Sequence, residues 1–321
     1  MSIKSLKLKN FLVFNDELSL NFSEGINVII GENGCGKTTI LKCIYSASQC
    51  SNDVSEKGPA FKVANYFSVN AFLGNLTSGV NNGEFIVKDE DSEFIVRQES
   101  WSEFVVGGKL KEDKSIFIPT TEMLSHSHGF LALNQKYKLP FDGTQVDIIV
   151  NASLPETREI PSNLSGILEK ISEVIDGTVV MEDDVFYVIK SDGRKIEFSL
   201  EAEGLRKLGL IWKLISNGLL EHGSLLLWDE PEANLNPELY PIVANILVEL
   251  QKNGVQVFVA THSYNLAKYI EIKTYNNMPA TFFALYRNNE KIIKADMTHQ
   301  LEGSKNNPII NAENVLLDSI L

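Results

Sequence analysis

The chain has 321 residues, 44% of them hydrophobic and 22% charged, with a formal net charge of −13 and a pI near 4.9. These proportions fit a globular chain of one large domain or two lobes around a continuous core. They exclude a helix that spans a bilayer, which needs roughly 20 successive apolar residues, and such an acidic balance does not favour nucleic acid as a partner. Met1–Asn10 alternates Lys with Ile and Leu in place of the apolar core of a secretory signal. The three cysteines, Cys35, Cys43 and Cys50, fall in one short stretch. An odd, clustered set suits a reducing compartment, so the expected location is the cytoplasm and no membrane is expected.

In chain order, residues 2–8 and 17–22 alternate apolar and polar side chains and predict two half-buried strands. Lys7 and Lys9 share one side of the first and Lys4 takes the other, so these lysines read as solvated strand residues in preference to a groove for DNA. Gly25 turns the chain into Ile26-Asn27-Val28-Ile29-Ile30, a short apolar run typical of a central strand covered on both faces. A glycine-rich loop follows, and residues 39–47 read as helix. Residues 84–87 and 93–97 read as hairpin arms after Asn81-Asn82-Gly83, and Ser115–Ile118 as a strand closed by Pro119.

Residues 123–160 are mixed and polar, with Pro140 and Pro155 interrupting them, and yield no element. Residues 164–175 carry Leu164, Ile167, Leu168, Ile171 and Ile175 on one helical stripe. Strand patterning returns at 178–181, 185–189 and 195–200, with a tight turn at Asp192-Gly193. From Glu203 an α/β rhythm runs to the end. A helix over 203–219 precedes the apolar strand 225–228, and a helix over 237–251 has Pro in its first turn. A strand over 255–260, a helix over 264–270, a hairpin of 281–286 with 291–294 and a last helix over 311–321 follow. No internal repeat and no sustained heptads interrupt the series.

Gly31-Glu32-Asn33-Gly34-Cys35-Gly36-Lys37-Thr38 matches G-x-x-x-x-G-K-[ST] at every fixed position, between a strand and a helix. Glycines at these places let successive N–H groups turn inward around a β-phosphate, and the helix N-terminus adds its partial positive charge. Asn33, Gly34, Cys35, Gly36, Lys37, Thr38 and Thr39 are therefore the expected ATP contacts. Lys37 would reach the β- and γ-phosphates, and the Thr38 hydroxyl would ligate Mg²⁺. A thiol at Cys35 would make the loop sensitive to bulky thiol reagents.

Leu225-Leu226-Leu227-Trp228 ends in Asp229-Glu230-Pro231. A buried strand that delivers two acids at its C-terminal end places them where open α/β sheets bind ligands. Asp229 is expected to hold Mg²⁺ through water, and Glu230 to orient and deprotonate the attacking water. Thr261-His262-Ser263 follows the next apolar strand, where His262 can approach the γ-phosphate. His126 and His128 lie in a Ser-rich stretch without metal-ligand spacing and read as loop residues.

Asn10-Phe11, Phe22, Gly25-Ile26-Asn27 and the glycine-rich loop together resemble the opening of SMC/RecF-like ABC ATPases, a group that includes the double-strand-break repair heads and OLD-type proteins. Asp229-Glu230-Pro231-Glu232-Ala233-Asn234-Leu235-Asn236-Pro237 and Ala260-Thr261-His262-Ser263 resemble that group's Walker B, D-loop and H-loop. The resemblance covers about residues 1–48 and 198–270, and points to compact AAA members without coiled coil or Toprim domain, often found in bacterial defence systems. It implies an α/β fold class: a P-loop NTPase of ABC-ATPase type with a mixed central sheet, flanking helices, an antiparallel β subdomain and a small helical lobe. The implied organisation is one domain over 1–321, made of an N-terminal lobe (1–122), an inserted helical/β lobe (123–200) and a C-terminal lobe (201–321).

The resemblance also implies a head-to-tail homodimer in which each ATP is capped by the partner's signature motif. Residues 202–207 stand where that motif would be, with Ala202 in place of the usual Ser and Gly204 offering its N–H. Two further departures are Leu12, where the repair heads often carry a basic residue, and Thr120-Thr121-Glu122, which offers no Q-loop Gln. Glu122 would substitute there in coordinating Mg²⁺ or water. The implied activity is hydrolysis of ATP as a switch for a separate effector, a nuclease or toxin, in anti-phage defence. The stretch after His262 is too short for a nuclease domain of its own. An ATP-dependent assembly scaffold with little turnover and a RecF-like, nucleic-acid-associated ATPase remain as alternatives, and a transporter subunit ranks below both.

Overall fold

The computed structural model describes residues 2–51, 58–68, 73–77, 82–100, 103–111, 114–157, 160, 162–275 and 278–319. From the N-terminus the chain lays down β1 (Ser5–Lys9), β2 (Leu18–Asn21), β3 (Ile26–Gly31), α1 (Lys37–Cys50) and α2 (Gly58–Phe67). Strands β4 (Glu84–Lys88), β5 (Glu93–Gln98), β6 (Phe104–Gly108) and β7 (Ser115–Ile118) follow, then helices α3 (Phe130–Tyr137), α4 (Gly143–Ala152) and α5 (Ser162–Ile175). Next come β8 (Gly177–Glu182), β9 (Val185–Lys190), β10 (Lys195–Glu197), α6 (Glu203–Ser216) and β11 (Leu225–Asp229). The chain closes with α7 (Tyr240–Lys252), β12 (Gln256–Thr261), α8 (Tyr264–Thr274), β13 (Thr281–Arg287), β14 (Ile293–Thr298) and α9 (Pro308–Asp318).

The central sheet has the order β14-β13-β3-β12-β11-β7. Its pairs are parallel except β13 with β14, the hairpin read from the sequence. Successive residues point to opposite faces, and both faces are covered. Val28, Ile30, Leu226, Trp228, Val257 and Val259 enter the core made with α4 to α8. Ile29, Leu225, Leu227, Phe258 and Ala260 enter the core beneath α1 and the antiparallel sheet. That second sheet, β2-β1-β4-β5-β6, turns Leu6, Leu8, Phe85, Val87, Phe94 and Val96 inward. A third, three-stranded sheet, β10-β9-β8, packs Val179, Phe186 and Val188 against α5 and α6. The mixed central sheet, flanking helices and antiparallel β subdomain that the resemblance implies are present.

Two helices lie where the sequence reading found no element. Pro140 precedes α4 instead of breaking it, and Asp142 with Gln145 forms a capping box at its start. Pro155 falls after its end, so both prolines act as punctuation; α3 is short and mostly exposed. Helix α2 and strand β6 were also not legible. Boundaries shift modestly: α6 stops at Ser216 before Gly218 (φ 71), and the first turn after Asn236 is 3₁₀ before α7 begins. Asn81 lies outside the described residues, as do the last two of the final helix expected over 311–321.

One buried side chain joins the two large sheets. Gln256, at the start of β12, accepts from the Ile3 N–H at 2.7 Å and donates to the carbonyls of Ile3 and Ser23 at 2.9 and 2.7 Å. It replaces the backbone partner that the segment before β1 would otherwise lack. Gln256→Leu should therefore lower unfolding free energy by about 2–4 kcal/mol, measured by urea denaturation, because it strands buried polar groups without partners.

Candidate functional site

Strand β3 delivers the chain to Gly31, and the loop to α1 is shaped by glycines at left-handed φ, Gly34 at 75° and Gly36 at 90°. Gly36 serves a second need. A Cβ there would lie 2.4 Å from Phe14 Cζ and 2.8 Å from Val13 Cγ2, so only hydrogen fits beneath the Asn10–Phe14 turn. That turn is closed by paired Phe11 and Phe14 backbone bonds of 3.1 and 3.0 Å. Leu12 adopts φ 51 within it, and its N–H donates to the Leu76 carbonyl.

Lys37 is buried at the loop's centre and its Nζ donates to the carbonyls of Gly31 and Glu32 at 2.8 and 3.0 Å. Asn33 and Gly34 form the exposed tip, while Gly36, Thr38 and Thr39 are half-buried where the loop enters α1. Arg287, at the end of β13, donates to the Gly34 carbonyl at 2.8 Å and so braces the loop from the neighbouring strand. Nothing in the sequence singled it out; only the β13–β3 pairing brings it there.

Cys35 corrects an expectation. Its side chain is 1% exposed and belongs to the core under the loop, and burial pushes its thiol above the ordinary range, with Lys37 the first opposing influence. A protonated, enclosed thiol is a poor nucleophile. The residue lines the loop with backbone only.

Opposite the loop, β11 ends at Asp229, which accepts from the Thr38 hydroxyl at 3.1 and 2.9 Å through its two carboxylate oxygens. Burial pushes the Asp229 carboxyl up to about 6, against the hydrogen bond from Thr38; the neighbouring Glu230 charge raises it further. Glu230 itself sits at φ 49, a region costly for a residue with a Cβ. Three hydrogen bonds hold it there: its N–H donates to the Ala260 carbonyl at 2.8 Å, and its carbonyl accepts from the Ala233 N–H at 3.1 Å and from Lys207 Nζ at 3.2 Å. Lys207 is 2% exposed, and burial pushes its amine down while Glu232 and other carboxylates pull it back up.

His262 stands at the end of β12 with Nδ1 3.4 Å from Glu230 Oε1 and 3.5 Å from Glu232 Oε1. The fold thus brings Thr38, Asp229, Glu230 and His262 to one end of three adjacent strands. Glu232 and Lys207 complete the group. For Glu232 the sequence holds a signal, a second acid two residues past Glu230.

A family described as "AAA domain, putative AbiEii toxin, Type IV TA system" matches residues 108–268, and one described as "AAA domain" matches residues 5–174. Each covers half of the chain or more. The chain belongs to the AAA-domain family. The DNA replication and repair protein RecF of Clostridium botulinum is 51% identical over 45 residues, which cover 14% of this chain and 12% of that protein. The chain thus matches only a small part of that relative's length. Among solved structures, an SMC head bound to the C-terminal winged-helix domain of ScpA superposes with TM-score 0.58 at 15% identity, covering 94% of this chain and 98% of that one. The SMC head domain from Thermotoga maritima gives 0.51 at 14% identity, with 93% and 98% covered. At such identities the likeness is one of fold.

Within this SMC/RecF-like fold, Gly204 lies apart from the P-loop's own contacts. A Cβ on it would meet Leu235 Cδ1 at 3.0 Å and the Asn234 carbonyl at 3.1 Å, so the first turn of α6 packs directly on the D-loop. Glu203 accepts from the Asn234 amide at 2.8 Å in the same contact. Glu122 is not free to act as a Mg²⁺ ligand in place of Gln. Its buried carboxylate pairs with Arg206 at 3.0 Å and accepts the N–H groups of Leu124 and Ser125. Lys4 pairs with Glu24 and Glu90, and Lys7 with Glu17 and Glu84, as solvated strand lysines would.

All three cysteines are buried. Ellman's reagent should leave the native protein's thiols unreacted over a period in which denatured chain releases three equivalents. Stoichiometric release of one thiol from native protein, lost in Cys35→Ser, would instead mark the loop as open to reagents.

Proposed function

We propose that the chain is an ATP-driven switch that binds MgATP on Gly31–Thr38, hydrolyses it, and pairs head to tail with a second copy of itself to control a separate effector. The reading rests above all on the contact of the Thr38 hydroxyl with the buried Asp229 carboxylate, with Glu230 and His262 beside it. That set fits a divalent cation: a hydroxyl and a carboxylate converge, and burial leaves the carboxylate short of positive charge. The loop fits a polyphosphate, since its tight turns keep Cβ atoms out of the backbone cradle. A Mg²⁺ ion held by Thr38 and Asp229 would neutralise charge on the β- and γ-phosphates.

In this mechanism Asn33, Gly34, Cys35, Gly36 and Thr39 bind through the backbone, and Lys37 carries the positive charge toward the transferred phosphoryl group. Glu230 orients water and accepts its proton, and its fixed left-handed backbone aims the carboxylate without reorganisation. His262 contacts the γ-phosphate and registers its loss. Gly204 offers its N–H to the ATP of the partner copy. The chain is treated as one domain, supported by a central sheet drawn from both ends of the sequence. Within it, lobes at 1–122, 123–200 and 201–321 are working units; the β8–β10 sheet supports the second.

A defence setting is supported by the family description, which names a toxin and a type IV TA system. A partner protein is supported by likeness to SMC heads, one of them bound to ScpA, and dimerisation by the head-to-tail pairing that the family resemblance implies. A cytoplasmic location is proposed from the buried free thiols, and among the described residues no helix is long and apolar enough to cross a membrane. A scaffold with little turnover is favoured by one observation: Ala202 caps α6 without any side-chain hydrogen bond. A RecF-like role with nucleic acid draws on the RecF match but not on the ion-paired lysines of β1.

Glu230→Gln should lower kcat for ATP about 10²–10³-fold with nucleotide affinity changed less than about threefold. Sedimentation of that variant should show a dimer with MgATP and a monomer without. Equal and negligible turnover by wild type and variant would favour the scaffold. A second expectation concerns pH. An Asp229 carboxyl near 6 is ionised above that pH and protonated below it. The kcat/KM for MgATP, which reports the free enzyme, should therefore fall about tenfold per unit as pH drops below about 6.

A further inference from the structure

Glu232 is a carboxylate with 4% side-chain exposure, three residues beyond Asp229. Its Oε1 accepts the Thr261 hydroxyl at 2.6 Å and the His262 N–H at 3.0 Å, and lies 3.5 Å from His262 Nδ1. Its Oε2 is buried and has no hydrogen-bond partner among the described residues. A buried carboxylate with an orphan oxygen is costly, and such groups persist where the surroundings use them. Both hydrogen bonds of the Glu232 side chain join the turn after β11 to the end of β12.

The His262 side chain is 47% exposed, so packing alone does not fix the ring. Its Nδ1 stands between the carboxylates of Glu230 and Glu232, 3.4 and 3.5 Å from their Oε1 atoms. An Nδ1–H held toward carboxylates selects one tautomer and leaves Nε2 for a ligand, the arrangement by which histidine orientation is commonly set. Lys207 is the buried counter-charge that makes this placement tolerable, and it also grips the Glu230 carbonyl.

We propose that Glu232 is a positioning residue: it pins the His262 loop to the Walker B turn and holds the ring with Nδ1–H toward the carboxylates, which presents Nε2 to the nucleotide. Its effect on turnover rests on the ATPase reading above; its effect on the ring does not.

A double-mutant cycle tests the first part. Glu232→Gln keeps the size of the side chain and an acceptor oxygen but removes the charge. It should lower kcat about 10-fold in the otherwise wild-type chain, with KM for ATP changed less than about threefold. In a His262→Ala background the same substitution should change kcat less than about twofold, because no ring is left to hold. Equal losses in both backgrounds overturn the proposal.

Nitrogen-15 NMR of histidine-labelled protein without nucleotide tests the second part. The His262 signals, assigned by their loss in His262→Ala, should show the Nδ1–H tautomer and move toward Nε2–H in Glu232→Gln. An unchanged tautomer balance overturns the proposal even if the protein hydrolyses ATP. If wild type proves inactive, the function proposed above fails, and the spectrum still decides the role of Glu232. Should Glu232→Gln not fold, Thr261→Val removes one of its two anchors, and a smaller shift in the same direction is expected; no shift overturns the proposal.

Discussion

The in-register parallel pairing of β3, β12 and β11 governs the rest of the molecule. Ile30 lies opposite Thr261, and Ala260 opposite Asp229, so three loops leave the sheet at one level. The P-loop, the acidic turn and the histidine loop are therefore neighbours although they lie far apart in sequence. That alignment has a price in desolvation. A sheet covered on both faces leaves Asp229 almost without water, and its carboxyl rises to about 6 although Thr38 donates to it. The same burial gives a cation bound there a large electrostatic effect.

Close approach sets the second constraint. The P-loop is roofed by Phe14 and Val13 at a distance only Gly36 allows, and α6 rests tightly on the Asn234–Leu235 turn at Gly204, where a Cβ would press Leu235 and the Asn234 carbonyl at 3.0 and 3.1 Å. Glu230 is among the non-glycine residues held at positive φ, and it stands in the acidic turn. Glu230 holds φ 49 because β12 takes its N–H and Lys207 takes its carbonyl, so the backbone is fixed from two sides.

Most of this was legible in the sequence where the physics is local. The glycine spacing predicts the loop at 31–38, and apolar runs such as Leu225–Trp228 and Val255–Ala260 predict buried strands. What stayed hidden depends on partners distant in sequence. Glu122 was expected as a stand-in for a missing Gln, yet Arg206 from α6 claims it. Cys35 was expected to be reactive, but the core beneath the loop encloses it. Arg287 carries no local pattern, and Lys207 is only the last residue of the 202–207 segment; both matter only once β13 lies beside β3 and α6 lies under the turn after β11. Helix α4 was overlooked because two prolines were read as breaks, when one precedes its cap and the other follows its end.

Helix α6 is tied to the site at three levels. Glu203 binds the D-loop through Asn234, Arg206 binds Glu122 after β7, and Lys207 binds the Glu230 carbonyl. Arg206 and Lys207 are buried or nearly so, which makes their ion pairs and hydrogen bonds stiff compared with those of surface lysines. A rigid-body displacement of α6 would therefore pull on the backbone of Glu230 and on the segment after β7 together. Ala202 gives the helix no side-chain cap, so its N-terminus keeps unpaired N–H groups. On the proposed function, a partner copy's phosphates would meet those groups, and the load they place on α6 would pass through Lys207 to the turn that aims Glu230. On that reading, the N-terminus of α6 and the turn of Glu230 would be joined through the Lys207 hydrogen bond.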